Sequence, residues 1–225
     1  MVGRVLVPAL MTALMLGILL ALGTWQVERL AWKRAILARI DAAERAAPVP
    51  LPADPGPFEK VAVRGHFLGG PEATYGVEVR DAPGGQAMGG QVIAPFRTDD
   101  GRTILIDRGW APTPPPPPAG EQDITGYARA PEHPWVFGAA DDPAKRQFFT
   151  LDPARIGAAL GLDHVAPFVL VALGPQPAFG VFPEPAQHLP RPPNNHLSYA
   201  ITWYGLALGL IVVFVIWARG RLAER

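Results

Sequence analysis

His196 opens an uncharged run and is followed at helical spacing by Tyr199 (i+3), Ala200 (i+4) and Trp203 (i+7), so these side chains share one helical face. Two chemistries suit an imidazole in that place. It is either a histidine snorkelling at a membrane interface, with Tyr199 and Trp203 as members of an aromatic belt, or a neutral axial ligand offered to a lipophilic metal cofactor. A position at the edge of the run rather than its centre favours the first on residue chemistry alone. A second candidate is Arg29, which falls between Trp25 and Trp32 on one helical face. It is either a guanidinium stacked on indoles or part of a basic collar with Lys33, Arg34 and Arg39 that meets lipid headgroups.

Other chemistries lack their residues. The 225-residue chain has no cysteine, which excludes disulfides, thiolate metal sites, redox dithiols and thioether attachment of haem. His66, His133, His164 and His188 are scattered without the short spacings of a zinc or copper site. Gly84-Gly85 and Gly89-Gly90 complete no nucleotide loop, and a GxSxG is missing. Asp99-Asp100 and Asp141-Asp142 stand beside turn formers and read as solvated turns. Asp107-Arg108-Gly109-Trp110 ends an apolar strand, as a recognition edge or simply as the strand's close. No clustered acid and base is found, so no enzyme is expected. Twenty basic and twenty acidic residues cancel without a basic block, which argues against nucleic acid as a partner.

The elements that must position His196 and Arg29 are two uncharged runs. Leu197 to Ala218 and Val5 to Val27 carry no formal charge, and each is long enough to cross a hydrocarbon core of roughly 30 Å. The first exceeds the usual core of a secretory signal and its helical pattern continues to about residue 40, so a retained anchor is expected over residues 5–24, with the second span over 197–217. Leu22, Trp25, Arg29, Trp32, Ile36 and Ile40 mark the shared face of the extension. Ala9, Ala13, Gly17 and Ala21 recur every fourth residue, and Gly205 and Gly209 form a GxxxG. The two spans are expected to pack through these stripes, although a GxxxG equally serves a homo-oligomer or a larger complex.

Between the spans, residues 47–193 read as a β-rich soluble domain. The 27 prolines and 24 glycines imply many loops, and Pro114 to Pro118 favours extended polyproline II. Alternation predicts strands at Lys60 to Phe67 and Thr74 to Arg80. Gln91 to Phe96 and Thr103 to Asp107 form a hairpin through Asp99-Asp100-Gly101. Further strands are expected at Ile124 to Arg129, Trp135 to Phe137 and Phe168 to Leu173. Asp152-Pro153 caps a short helix. The fold class expected is an α+β membrane protein: two transmembrane helices flanking a mostly antiparallel β domain with one short helix, closure into a barrel being beyond sequence. An even number of spans puts both termini on one side. Basic residues at Arg4, Arg219, Arg221 and Arg225 suit the cytoplasm. Although Arg29, Lys33, Arg34 and Arg39 flank the other side, the long connecting segment can be translocated regardless of charge, so both termini are expected in the cytoplasm, with the domain on the outer, periplasmic face of a cell inner membrane.

Several stretches together resemble the surfeit locus assembly factors for haem-copper cytochrome c oxidase. They are LGTWQVERLAWK (Leu22 to Lys33), Gly65-His66-Phe67 followed by Arg80, ILIDRGWAP (Ile104 to Pro112) and NNHLSYAITWYGLAL (Asn194 to Leu208). The family commonly has Asn where Asp107 stands. The resemblance implies an assembly factor working with oxidase subunits and the haem a synthesis machinery in the membrane lipid. It also implies transient binding of haem a, with His196 as the iron ligand. On that reading Arg29 or Arg191 would pair with propionates, and Trp25, Tyr199 and Trp203 would lie about the macrocycle. The alternative is a membrane scaffold that holds oxidase intermediates together without binding haem.

Overall fold

The structure is a computed structural model describing residues 2–56, 59–136 and 138–223, with side chains from Val5 onward. Phe137 and Arg225, and the side chain of Arg4, lie outside the described residues. Two long apolar helices at the termini flank, in chain order, a mostly antiparallel sheet domain. The chain divides into a helical unit (Met1–Asp41 with Arg191–Arg225) and a sheet unit (Ala42–Pro190).

In the sheet unit the strands are β1 (Val49–Pro50), β2 (Lys60–Phe67), β3 (Ala73–Ala82), β4 (Gly85–Thr98), β5 (Thr103–Ala111), β6 (Glu121–Arg129), β7 (Gln147–Phe148) and β8 (Val169–Ala172). Their order is β1-β2-β6-β8-β5-β4-β3-β7, and an added β2–β4 pairing joins Gly65 to Thr98 and Phe67 to Phe96. The sheet therefore closes into a ring of β2, β6, β8, β5 and β4, antiparallel everywhere except β5–β8. A parallel pair needs a crossover. Here the crossover carries α2 (Pro153–Ala159), whose N-cap Asp152 accepts from the amides of Ala154 (3.0 Å) and Arg155 (3.2 Å).

The β4–β5 hairpin turns at Gly101, where φ is +86°, as Asp-Asp-Gly predicts. Beside it Arg102 donates to Asp100 at 2.9 Å and holds that carboxyl down at about 2. Trp135 and Val136 form no strand; flanking prolines remove donors from that segment.

Strand β5 is buried from Ile104 to Ala111 because both of its faces are covered. Ile104 and Ile106 point into the ring against Val61, Val63, Phe96 and Leu170. Leu105 points outward against Ile93, Val169 and Ile156 of α2. Asp107-Arg108-Gly109-Trp110 is thus the buried close of a strand that ends at Ala111, the second of its two readings, rather than a recognition edge. Trp110 is fully buried, packed edge-on against Phe182 at 5.5 Å. Gly109 has φ +114°, and a Cβ there would strike the Glu184 carbonyl, so only glycine fits.

Arg108 forms a buried ion pair with Glu72 (2.5 Å) and donates to the carbonyls of Pro115 (2.7 Å) and Pro116 (3.2 Å), pinning the proline run to the sheet. Burial raises the Glu72 carboxyl from its ordinary value, and Arg108 opposes this. Asp141 also departs from the solvated turn expected: its side chain is 3% exposed and it accepts from the amides of Phe149 (2.7 Å) and Thr150 (3.0 Å). Asp142 beside it stays in solvent with Lys145.

In the helical unit, α1 (Val2–Arg45) and α3 (His196–Ala223) are both long and apolar enough to cross a membrane. At 1.5 Å per residue the 44-residue α1 is about 66 Å long, twice what a bilayer core needs. Among the sheltered positions, Thr12, Leu16, Leu19, Gly23, Gln26 and Leu30 form one line on α1, and His196, Ala200, Trp203, Ala207, Leu210, Phe214 and Trp217 form one on α3. Steps of four and three alternate on both, the spacing of a left-handed helix pair. Gln26 meets His196 while Gly23 and Thr24 meet Tyr204, so the helices run antiparallel.

This seam replaces the packing expected from the small-residue stripes. A Cβ added at Gly17, Gly205 or Gly209 would meet nothing within 4 Å. A strict four-residue stripe drifts off a seam that averages 3.5 residues, which leaves these glycines outside the contact. Close approach is made instead at Gly23, where a Cβ would lie 2.8 Å from the Tyr204 ring, and at buried Ala200 and Ala207. Of the face expected from Leu22 to Ile40, Trp25, Arg29 and Trp32 are exposed beside the seam, while Leu22 and Ile36 are half-buried and Ile40 is fully buried.

Because the chain has no native cysteine, the pair Gly23→Cys with Tyr204→Cys gives an intramolecular disulfide under mild oxidation, and Gly17→Cys with Gly205→Cys gives none; mobility on a non-reducing gel decides. Arg108→Met strands Glu72 in the core and costs about 3–5 kcal/mol, read as a lowered midpoint in denaturant titration of the sheet unit's tryptophan fluorescence.

Candidate functional site

The approach to α3 is Pro192-Pro193-Asn194-Asn195, and the Asn195 carbonyl accepts the Tyr199 amide at 3.2 Å. Proline cannot continue a helix backwards, so the helix begins at His196 and its first amides are left without intrahelical partners. His196 is half-buried, and its Nδ1 lies 2.7 Å from Gln26 Oε1. Among the described residues its Nε2 makes no hydrogen bond. Two positions earlier, Asn194 Oδ1 is buried without a hydrogen-bond partner.

The structure divides the residues expected around His196. Trp203 lies on the same seam and is half-buried. Tyr199 (54% exposed) and Trp25 (49%) point away from it, because a 3.5-residue seam selects His196, Ala200 and Trp203 and passes over the intermediate position. Arg29 is exposed, with its guanidinium 4.5 Å from the centre of the Trp32 ring. Arg191 is bridged to Asp41 at 2.8 Å, so a carboxylate ligand there would compete with Asp41.

Gln26 was not singled out by the sequence reading. The signal was present: it stands seven residues after Leu19 and four before Leu30, a polar side chain on an otherwise apolar line. Four-residue small stripes obscured that period.

The sheet unit holds a cluster that was also missed. A polar cavity of about 400 Å³ is lined by Arg80, Asp107, Tyr127, Arg129, Glu184 and His188 among others. Asp107 is 3% exposed, and Gly109 donates to its Oδ1 at 3.0 Å. Burial pushes its carboxyl up to about 6 against the opposing pull of that amide, Arg129 and Arg80. Arg80 is held by Glu78 (2.8 Å) and Glu184 (3.0 Å) and lies 5.2 Å from the Trp110 ring centre. Arg129 pairs with Glu132 at 2.5 Å. An acid, a phenol and an imidazole thus meet in one cavity. Their separation along the chain hid this, for they come from β5, β6 and the segment after β8.

Comparison with known proteins places these features in a family context. A family model described as SURF1 family matches residues 13–208. The chain is similar to a SURF1-like protein of Rickettsia conorii, with 30% identity over 216 residues, covering 92% of this chain and 89% of that protein. It is also similar to Surfeit locus protein 1 of Mus musculus, with 32% identity over 212 residues, covering 82% of this chain and 67% of that one. Surfeit locus protein 1 of Homo sapiens is 31% identical over 211 residues, covering 83% and 69%.

Asp107 makes stability depend on pH with a definite sign. Its folded carboxyl titrates at about 6, above the ordinary 3.8, so the folded state binds the proton more tightly than the unfolded one. The contribution of Asp107 is therefore largest below pH 4, is lost between pH 4 and 6 and is flat above, a change of about 3 kcal/mol. Asp107→Asn removes this slope. Denaturation midpoints of the full chain in detergent at pH 4 and 8 are expected to differ less in the variant, with the variant the more stable at pH 8.

Proposed function

The chain belongs to the SURF1 family, and from that premise we propose that it is an assembly factor for haem-copper cytochrome c oxidase that carries haem a on His196 and passes it to the catalytic subunit. Family membership supports the role in oxidase assembly. The haem reading rests on one observation: His196 has Nδ1 engaged by Gln26 at 2.7 Å and Nε2 unengaged among the described residues.

The residues present suit such a cargo. A neutral imidazole is a haem-iron ligand. His196 stands at the first position of a helix long enough to span, where lipid gives way to water. Haem a is amphipathic in the same sense, with an isoprenoid tail that favours lipid and propionates that favour water. Trp203 on the same seam offers an indole face, and Arg29 offers a guanidinium that matches a carboxylate bidentately. The free amides of the first turn of α3 add positive potential at that end.

The role is delivery rather than turnover. Bound haem would supply an iron that takes nitrogen ligands, and His196 would hold it through a single imidazole that can be exchanged on transfer. The partners are then the oxidase subunits and the enzymes that make haem a. The site lies on the periplasmic side of the inner membrane, with both termini in the cytoplasm.

His196→Ala is expected to abolish the haem a absorbance of protein purified from cells that synthesise haem a. Unchanged occupancy in that variant overturns the ligand assignment. A colourless wild-type protein that still copurifies with oxidase subunits supports a scaffold role in its place.

A further inference from the structure

Gln26 is 8% exposed on a seam whose neighbouring positions are Leu19, Gly23 and Leu30. Burying a carboxamide among apolar side chains costs free energy unless it is hydrogen-bonded, and the cost grows where no water is at hand. Its oxygen meets that requirement through His196, 170 residues away in the chain. The contact is directional in its chemistry. A carboxamide oxygen only accepts, so the proton of a neutral imidazole must sit on Nδ1, and the Nε2 lone pair is left free.

We propose that Gln26 is a positioning residue for His196, selecting the Nδ1-protonated form and aiming Nε2 as the nitrogen that binds a metal. This deepens the haem-ligand reading given above and rests on it. Metal-binding histidines depend on such a partner: the hydrogen bond fixes ring orientation and tautomer and makes the ligating nitrogen more basic, and its loss typically lowers metal affinity about 10–100-fold. Because Gln26 is on α1 and His196 on α3, the ligand is aimed only while the two helices are packed in this register.

The competing role for Gln26 is that of a polar pin which sets helix register and nothing more. The two are separated by Gln26→Met, which keeps the shape and apolar packing but has no amide acceptor, and by Gln26→Glu, which restores an acceptor oxygen. Full-length protein is labelled with 15N-histidine and studied in detergent. Of its five histidines, His196 is assigned by its loss in His196→Ala. The wild type is expected to show His196 protonated at Nδ1 only. Gln26→Met is expected to give a tautomer mixture and haemin binding weakened about 10–100-fold, with the Gly23→Cys, Tyr204→Cys disulfide still forming in that background. Gln26→Glu is expected to restore both the tautomer and tight binding.

If Gln26→Met leaves tautomer and haemin affinity unchanged while His196→Ala loses haemin, Gln26 is only a packing residue and the proposal fails with the ligand reading intact. If Gln26→Met abolishes the disulfide, a structural role accounts for any loss and the proposal fails unless Gln26→Asn, shorter but still an acceptor, retains the Nδ1 form. Retention of haemin by His196→Ala overturns the ligand reading, and the positioning role with it.

Discussion

A carboxamide buried in an apolar helix seam must find a hydrogen-bond partner, and here it finds an imidazole of the facing helix. That constraint couples α1 to α3 through Gln26 and His196. It also gives the helix pair a register that leucine and alanine contacts alone would not enforce, since apolar side chains slide past one another with little change in energy whereas a hydrogen bond at 2.7 Å is lost by a shift of one turn. Gly23 against the Tyr204 ring brings the backbones close enough for the bond to form. The placement of the His196 ring and the packing of the two helices are therefore one feature of this molecule.

The sheet unit solves a different problem with the same principle. Strand β5 is buried on both faces, yet it carries Asp107 and Arg108 side by side. Alternation sends them to opposite faces. Arg108 finds Glu72 and the proline carbonyls, a satisfied pair that ties the Pro114 to Pro118 run down. Asp107 faces a polar cavity with one amide for a partner, so its burial appears as a carboxyl that titrates near 6 rather than as a salt bridge. Asparagine would fill the site without that titrating proton.

Membership of the SURF1 family and the position of His196 give each unit a share in the proposed activity. The helical unit carries the imidazole at the first position of α3. The sheet unit supplies a rigid closed ring, tethered to both helices by the chain itself.

Local chemistry was legible in the sequence alone. Two uncharged runs announced the two long apolar helices, alternation announced strand β2 at its observed ends, Asp-Asp-Gly announced the β4–β5 turn, and Asp152-Pro153 announced α2. Each of these depends on residues within a few positions of one another, which is the range over which propensity, capping and turn preference act. Tertiary structure alone decided the rest. Which helical face packs was set by the 3.5-residue seam and not by the small-residue stripes, and the strands closed into a ring through the β2–β4 register. Gln26 became the partner of a histidine 170 residues away, and Asp107 became a buried acid instead of an edge. These are pairings between distant segments, and their energies depend on what each side chain is buried against, which local sequence does not carry.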